Sequence, residues 1–384
     1  MRVARLAVIC DYREENWPSM DLVAEMLLQE LQQDHAGSVA ATRLAPPMRR
    51  RFTRSDTTGG HLFKAERLLN RFWDYPRFLR HQTAGFDLFH IVDHSYGQLA
   101  HELPPERTII TCHDLDTFRC LLNGHSERRS LLFRRMTGRI MSGLMKAARV
   151  TCDSVATRDE LLAYELVAPE RAVVIPNGAH PACSPEASPA ADAEAARLLG
   201  NQRAEAVELL HVGSTIPRKR IDVLLRVVAA LRREFSGARL VRVGGPFTAA
   251  QARLIDELNL SESVVVLPYL DRDVLAAVYR RAALVLLPSE REGFGLPVVE
   301  ALACGTPVVA SRLPVLREVG GEAAVYCPVG DIASWTEAVA PLLVEKDRDP
   351  QRWDERRRSA IAQAALFSWT EYARKMVSIY RELL

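Results

Sequence analysis

The stretch Ser289-Glu-Arg-Glu-Gly-Phe-Gly-Leu-Pro-Val-Val-Glu-Ala-Leu-Ala-Cys-Gly-Thr-Pro-Val-Val-Ala-Ser311 decides the architecture of this chain. It reads as a strand end, a glycine-bearing loop, a short helix and a second strand. Pro297 suits the first turn of a helix, where its missing N–H is not needed. Gly305 suits the position just past a helix end. Glu292 therefore falls in the loop, and Glu300 about one turn into the helix. Open parallel α/β sheets bind ligands in the crevice beyond the strand ends, so both carboxylates are expected to face that crevice. A helix start also offers free backbone N–H groups, a seat for phosphate.

Outward from this stretch, short β-branched runs alternate with helical ones. They lie near 5–11, 38–45, 86–93, 108–114, 149–154 and 172–177, then near 207–212, 239–243, 263–270, 284–288, 306–311 and 323–328. Such alternation predicts parallel sheets with helices on both faces. Six runs in each half predict two similar domains rather than one eight-stranded barrel. The break between them is Pro176-Asn-Gly-Ala-His-Pro-Ala-Cys-Ser-Pro-Glu-Ala-Ser-Pro-Ala-Ala191, whose prolines cannot continue a helix or a central strand. The expected boundaries are a first domain over 1–180, a linker over 181–200, a second domain over 201–365 and an amphipathic terminal helix over 366–384.

Of 384 residues, 48% are hydrophobic and 26% charged, the balance of a soluble globular protein. That length supports two domains, each with its own core. A net charge of +2 argues neither for nor against an anionic partner. The seven cysteines are scattered without a Cys-x-x-Cys pair, which fits a reducing cytosol better than a disulfide framework or a zinc site. The first apolar run meets Asp11 at once and reads as a buried strand rather than a signal peptide. No run approaches the roughly 18–20 apolar residues that a membrane span needs. The expected location is the cytoplasm.

Two stretches of the first half are basic. Residues 43–80 interleave Arg and Lys with Phe72, Trp73, Tyr75 and Phe78, and residues 128–149 hold seven Arg/Lys and no acid among large apolar residues. Helices of this kind can lie on an anionic membrane, here its inner face. The plainer reading is an ordinary helix with its apolar face in the core and a solvated arginine face.

A second site is His211-Val-Gly-Ser-Thr-Ile-Pro-Arg-Lys-Arg-Ile-Asp-Val-Leu-Leu225. A strand ends at Gly213, and Ile221, Leu224, Leu225, Val228 and Leu231 recur at helical spacing. Between them stand Arg218, Lys219 and Arg220. Cations beside a helix start suit a diphosphate whose charge rises as it leaves a sugar.

The 289–311 run resembles the signature of retaining glycosyltransferases of family 4, in which two glutamates are separated by seven residues. Gly213 through Lys219, Pro176-Asn177-Gly178, His113-Asp114 after a strand and the Trp369 terminal helix match that family in order, over nearly the whole chain. The resemblance implies the α/β GT-B fold, two Rossmann-like domains with parallel sheets facing across a cleft, the terminal helix crossing back to the first domain. It implies that Glu300 binds the ribose of a nucleotide. Glu292 and the backbone of Gly293, Phe294 and Gly295 would hold the donor sugar and distal phosphate, with Leu296, Gly213 and Ser214 completing the donor site. Lys219, with Arg218, would neutralise the leaving diphosphate, and His113 would reach the sugar. Read without the resemblance, His113 is a loop histidine bonded to backbone.

Two positions depart from the family pattern. Ser214 stands where the family has an arginine, which removes a fixed bidentate phosphate donor. The loop after the first strand, Asp11-Tyr-Arg-Glu-Glu-Asn-Trp-Pro-Ser-Met20, carries no glycine, so Asn16, Trp17 and Ser19 are expected to shape the acceptor side. Asp114-Leu-Asp116 has the form of a metal-binding Asp-x-Asp, but the surrounding pattern is the two-domain one, and neither a metal nor a cofactor is expected. Val243-Gly-Gly-Pro246 is expected to be a strand-ending turn, since it lacks the third glycine and distant acid of a dinucleotide fingerprint.

The expected activity is retaining transfer of a hexose from a UDP- or GDP-sugar to the hydroxyl of a carbohydrate or lipid-linked acceptor, in polysaccharide or glycolipid assembly. Peripheral contact with an anionic membrane is expected, and a nucleic-acid partner is not. Two other readings stay open: a sugar-nucleotide epimerase of the same fold, and a nucleotide-sugar-binding protein that has lost transfer.

Overall fold

The computed structural model describes residues 2–54, 60–122, 129–200 and 206–384. The chain divides into two compact units, Met1–Asn177 with Trp369–Leu384, and Gly178–Ser368. Each contains a six-stranded sheet whose pairings are all parallel.

In the first unit the strands are β1 (Ala4–Ile9), β2 (Val39–Leu44), β3 (Leu88–Ile91), β4 (Thr108–Cys112), β5 (Arg149–Cys152) and β6 (Ala172–Val174), in the order β2-β1-β3-β4-β5-β6. In the second they are β7 (Val207–Val212), β8 (Ala238–Val243), β9 (Val264–Leu267), β10 (Leu284–Leu287), β11 (Val308–Ser311) and β12 (Ala324–Cys327), in the order β12-β11-β10-β7-β8-β9. Each of the twelve expected runs overlaps one of these strands. Every residue of β3, β4, β10 and β11 is buried, as in a sheet covered by helices on both faces.

The strand orders place the sites. In the second unit the chain steps outward from β7 through β8 to β9, then returns beside β7 with β10 and steps the other way. The loops after β7 and β10 therefore leave neighbouring strand ends in opposite directions, which opens a crevice at the switch point. The first unit has the same reversal between β1 and β3.

Residues 366–384 were expected as one helix; the helix spans Trp369–Glu382. It packs on the helix Pro18–Asp34 and buries Trp369, Tyr372, Met376, Ile379 and Tyr380. Its Tyr380 hydroxyl lies 2.8 Å from His90 Nδ1, and His90 Nε2 lies 2.7 Å from Thr111 Oγ1. Burial pushes His90 down to about 3, so it is a neutral dock for this helix.

The stretch 181–200 is not a bare linker. Pro189 occupies the first turn of a helix, Pro189–Leu199, where its ring is compatible with helical backbone. Arg280 anchors that helix, donating to Asp192 Oδ1 at 2.6 Å and to the Ser184 carbonyl at 3.4 Å.

Candidate active site

At the switch point of the second unit, the loops after β7 and β10 are tied together by backbone. Glu290 N–H donates to the Arg218 carbonyl at 2.7 Å, and Arg218 Nη1 donates to the Arg291 carbonyl at 3.1 Å. Within this frame Lys219 Nζ donates to Glu292 Oε1 at 2.6 Å, and Ser289 Oγ donates to the same oxygen at 2.6 Å. Arg218 Nη1 stands 3.9 Å from Glu292 Oε2. The Glu292 side chain is 6% exposed, so this is a buried charge cluster. Burial alone would raise its carboxyl. The charges of Lys219 and Arg218, with the hydrogen bonds from Lys219 and Ser289, outweigh that and hold it below the ordinary range.

Glu292 is followed by a tight turn into the helix Leu296–Ala303. Gly295 has φ +96°, a conformation that favours glycine, and a Cβ there would lie 2.7 Å from Leu316 Cδ2, so a side chain would also have to displace that methyl. The Phe294 ring is buried edge-on against Phe367, centroids 5.8 Å apart, which fixes the loop from beneath. Pro297 lies in the first turn and Gly305, at φ +71°, just past the end.

Glu300 projects from the helix into a different set of partners. Tyr279 donates its hydroxyl to Oε2 at 2.9 Å, and Arg272 Nη1 lies 3.5 Å from Oε1. Burial raises its carboxyl, opposed by Arg272 and the Tyr279 hydrogen bond. The two glutamates are thus pushed in opposite directions: Glu292 is firmly ionised on a cation pair, Glu300 the more readily protonated of the two.

Arg220 does not join the cluster. It adopts left-handed backbone (φ +47°), and its guanidinium grips Asp222 at 3.0 and 2.9 Å. Of the three consecutive cations, only Arg218 and Lys219 turn toward Glu292. Ser214 is half-buried beside them.

The first unit gathers titratable groups at its own strand ends: Asp11 after β1, Asp93 and His94 after β3, His113 after β4 and Asp153 after β5. Each is buried. His113 Nδ1 lies 2.6 Å from Asp153 Oδ2 and Nε2 lies 2.7 Å from the Val92 carbonyl. Both partners accept only, so both ring nitrogens must donate, and the ring is an imidazolium. Burial works against that charge, but Asp153 and Asp93 with the Val92 carbonyl push it up to about 9. The side chain expected to reach a sugar therefore has both nitrogens committed inside its own unit. Beside it, no N–H or O–H donor among the described residues reaches either oxygen of Asp11. Burial and the neighbouring Asp93 push Asp11 well above the carboxylate range, so Asp11 keeps a proton that Asp93 has given up.

In the glycine-free loop, Asn16 supplies the left-handed conformation itself, at φ +55°. Asparagine tolerates that region better than other side-chain-bearing residues. Trp17 is half exposed, its Nε1 donating to Glu15 Oε2 at 3.4 Å, and Ser19 sits in the first turn of the helix Pro18–Asp34. Asp114 Oδ1 accepts from the Asp116 N–H at 3.0 Å, Asp116 pairs with Arg119 at 2.8 Å, and Arg119 also donates to Glu160 Oε1 at 3.1 Å. Asp93, Asp153, Ser289, Tyr279 and Arg272 were not singled out from the sequence. The signal that could have found the first two is that the four neighbouring strands β1, β3, β4 and β5 are each followed within two residues by Asp or His.

Two family models match the chain: "Glycosyltransferase Family 4" over residues 21–182 and "Glycosyl transferases group 1" over residues 200–360. A D-inositol 3-phosphate glycosyltransferase of Mycobacteroides abscessus is 33% identical over 245 residues, covering 61% of this chain and 52% of that protein. Its counterpart in Mycolicibacterium smegmatis is 39% identical over 178 residues, covering 44% of this chain and 38% of that one. The chain spans about half the length of the curated relatives it matches. Among solved structures, sucrose-phosphate synthase from Thermosynechococcus elongatus superposes over 99% of both chains with a TM-score of 0.76 at 21% identity. Anabaena Alr3699/HepE in complex with UDP and glucose covers 99% of this chain and all of its own, with a TM-score of 0.71 at 16% identity. These likenesses show the GT-B fold.

Proposed function

Because the chain belongs to the family 4, group 1 glycosyltransferases, we propose that it moves a sugar from a nucleoside-diphosphate sugar to a hydroxyl acceptor with retention of anomeric configuration. The observation that carries this reading is the Lys219–Glu292–Arg218 cluster at the switch point of the second sheet. Two cations held by one ionised carboxylate are pre-positioned for the charge that grows on a departing diphosphate, and groups already in place need no reorganisation during the reaction. Glu292 both orients Lys219 and presents acceptor oxygens to sugar hydroxyls. Glu300, with Tyr279 and Arg272 around it, is suited to the hydroxyls of a ribose. The leaving phosphate takes the acceptor's proton on the face it departs from, so catalysis is positioning and electrostatics rather than attack by a carboxylate.

The test is a thermal-shift screen with UDP-, GDP- and ADP-sugars, since a ligand that binds only the folded state raises its stability. The fold neighbour solved with UDP and glucose makes UDP-glucose the first donor to try. Inositol 3-phosphate, from the names of the sequence relatives, joins lipid-linked hydroxyl acceptors in the acceptor panel. Donor binding with sugar transfer is the expected result. A new sugar nucleotide formed from donor alone would indicate an epimerase, and binding without turnover would indicate a non-catalytic protein.

The basic helix Leu131–Lys146 supports a peripheral membrane role. It buries Ile140 and Leu144, yet leaves Leu131, Leu132 and Phe133 exposed beside Arg134, Arg135 and Arg139. Trp73 is also exposed under the guanidinium of Arg77, 3.4 Å from its ring centroid. No described helix is long and apolar enough to cross a membrane. Flotation with anionic liposomes is expected to carry the protein at low salt. Replacing Arg134 and Arg135 by Gln should abolish that, and absence of binding at low salt would end the idea.

A further inference from the structure

Two polar residues interrupt the apolar strands of the second unit, His211 in β7 and Arg242 in β8, and neither has exposed surface. Arg242 makes no ion pair with any described carboxylate. Its Nη2 donates to the Gly213 carbonyl at 3.0 Å and to the Gly244 carbonyl at 3.1 Å, and its Nη1 donates to the Gly245 carbonyl. The Phe247 ring centroid lies 4.9 Å from its Cζ. A guanidinium stays charged in proteins. A full positive charge therefore sits on the carbonyls of two strand-end turns and against an aromatic face, with no carboxylate paired to it among the described residues.

The direction of those carbonyls has a second effect. Across a trans peptide the C=O of one residue and the N–H of the next point opposite ways, and no peptide in the described chain is cis. Drawing the Gly213 and Gly244 carbonyls onto Arg242 turns the N–H groups of Ser214 and Gly245 away from it. Neither N–H meets an acceptor among the described residues. The two turns touch: a Cβ at Gly244 would lie 2.3 Å from the Gly213 carbonyl oxygen, and Gly244 has φ +124°. The two outward N–H groups thus issue from adjoining peptides.

The surroundings fit an anion. His211 is buried, and neither ring nitrogen has a hydrogen-bond partner among the described residues. Its Cε1 lies 3.5 Å, and Lys219 Cε 3.7 Å, from the point a Cβ would take at Gly213. Burial, then the charges of Lys219 and Arg242, push His211 down to about 3, so it adds no charge of its own.

We propose that Arg242 is a positioning residue for the donor site: it holds the Gly213 and Gly244–Gly245 turns so that the Ser214 and Gly245 amides face away from it and stay free to donate to a phosphate of the nucleotide. Backbone donors then serve where Ser214 provides no cationic side chain. This rests on the reading that the second unit binds a nucleoside diphosphate.

The experiment compares, by calorimetry on the full chain, the affinity for UDP and for uridine in wild type, Arg242→Lys and Arg242→Met, with GDP/guanosine or ADP/adenosine if the donor screen selects those bases. Two oriented donors to a charged group are lost in Arg242→Met, so the preference for diphosphate over nucleoside should fall about tenfold or more, nucleoside affinity holding within about twofold. Arg242→Lys keeps the charge but not the three-carbonyl grip, and should lose about threefold or more of the preference. A merely structural loss would weaken nucleoside and diphosphate together. A folded Arg242→Met with the wild-type preference overturns the proposal. If Arg242→Met does not fold, an unchanged preference in Arg242→Lys overturns it. Wild type that binds no nucleoside diphosphate overturns the donor-site reading as well, which separates the two failures.

Discussion

Replacing Lys219 by Ala is expected to lower sugar transfer about 10²–10³-fold, the cost of removing one preorganised donor to a developing oxyanion, about 2.7–4 kcal/mol. The structure adds a consequence that activity alone would not reveal. Lys219 is the hydrogen-bonding cation of Glu292, whose side chain is almost entirely buried. Removing one partner of a buried pair costs about 3–5 kcal/mol where nothing else compensates the charge; Arg218 and the Ser289 hydroxyl stay beside Glu292, so the loss here is smaller than that. Lys219→Ala should therefore melt at lower temperature as well as turn over slowly. The two effects separate in the double variant Lys219→Met with Glu292→Gln, which removes both charges together. That variant should regain most of the lost melting temperature and none of the transfer rate. Near-wild-type turnover in Lys219→Ala with a verified donor would remove Lys219 from the mechanism.

Stability should decline between neutral and alkaline pH, and His113 supplies a separable part of that decline. Its two ring nitrogens face acceptors only, and it is pushed up from 6.5 to about 9. A raised folded-state value means the stabilisation is complete below about 6.5 and is lost as pH climbs through about 9. Keeping the proton from 6.5 up to about 9, at 1.36 kcal/mol per tenfold change in proton affinity, contributes about 3 kcal/mol. Urea denaturation of wild type and His113→Asn at pH 6.5 and 9.5 measures it. Cysteines released on unfolding titrate in the same window, but equally in both proteins, so the difference isolates His113. Wild type should lose about 3 kcal/mol more than the variant. Equal slopes would show that the imidazolium–Asp153 pair is absent in solution.

The strands were legible because central strands of a doubly covered parallel sheet are continuous apolar runs, such as Leu284–Leu287 and Val308–Ser311. The helix after Glu292 was legible from Pro297 and Gly305, residues with narrow conformational ranges. What could not be read are contacts set by sheet order. Lys219 and Glu292 meet because β7 and β10 are neighbours, and Asp153 meets His113 because β5 lies beside β4. Neither pairing has a sequence period. Arg220 misled for a local reason: a single left-handed residue turns it to Asp222 and away from Lys219. The left-handed backbone of Asn16 in the glycine-free first loop had no marker in the sequence either.

The terminal helix has a consequence for the order in which the chain takes shape. Residues 369–384 complete the first unit, yet they are synthesised after the whole of the second. Until they emerge, His90 lacks its Tyr380 partner and the face of Pro18–Asp34 that Trp369–Glu382 covers stays wet. Domains usually fold as units in the order of synthesis. Here the second unit is contiguous in sequence, whereas the unit begun first waits for residues made after all of the second.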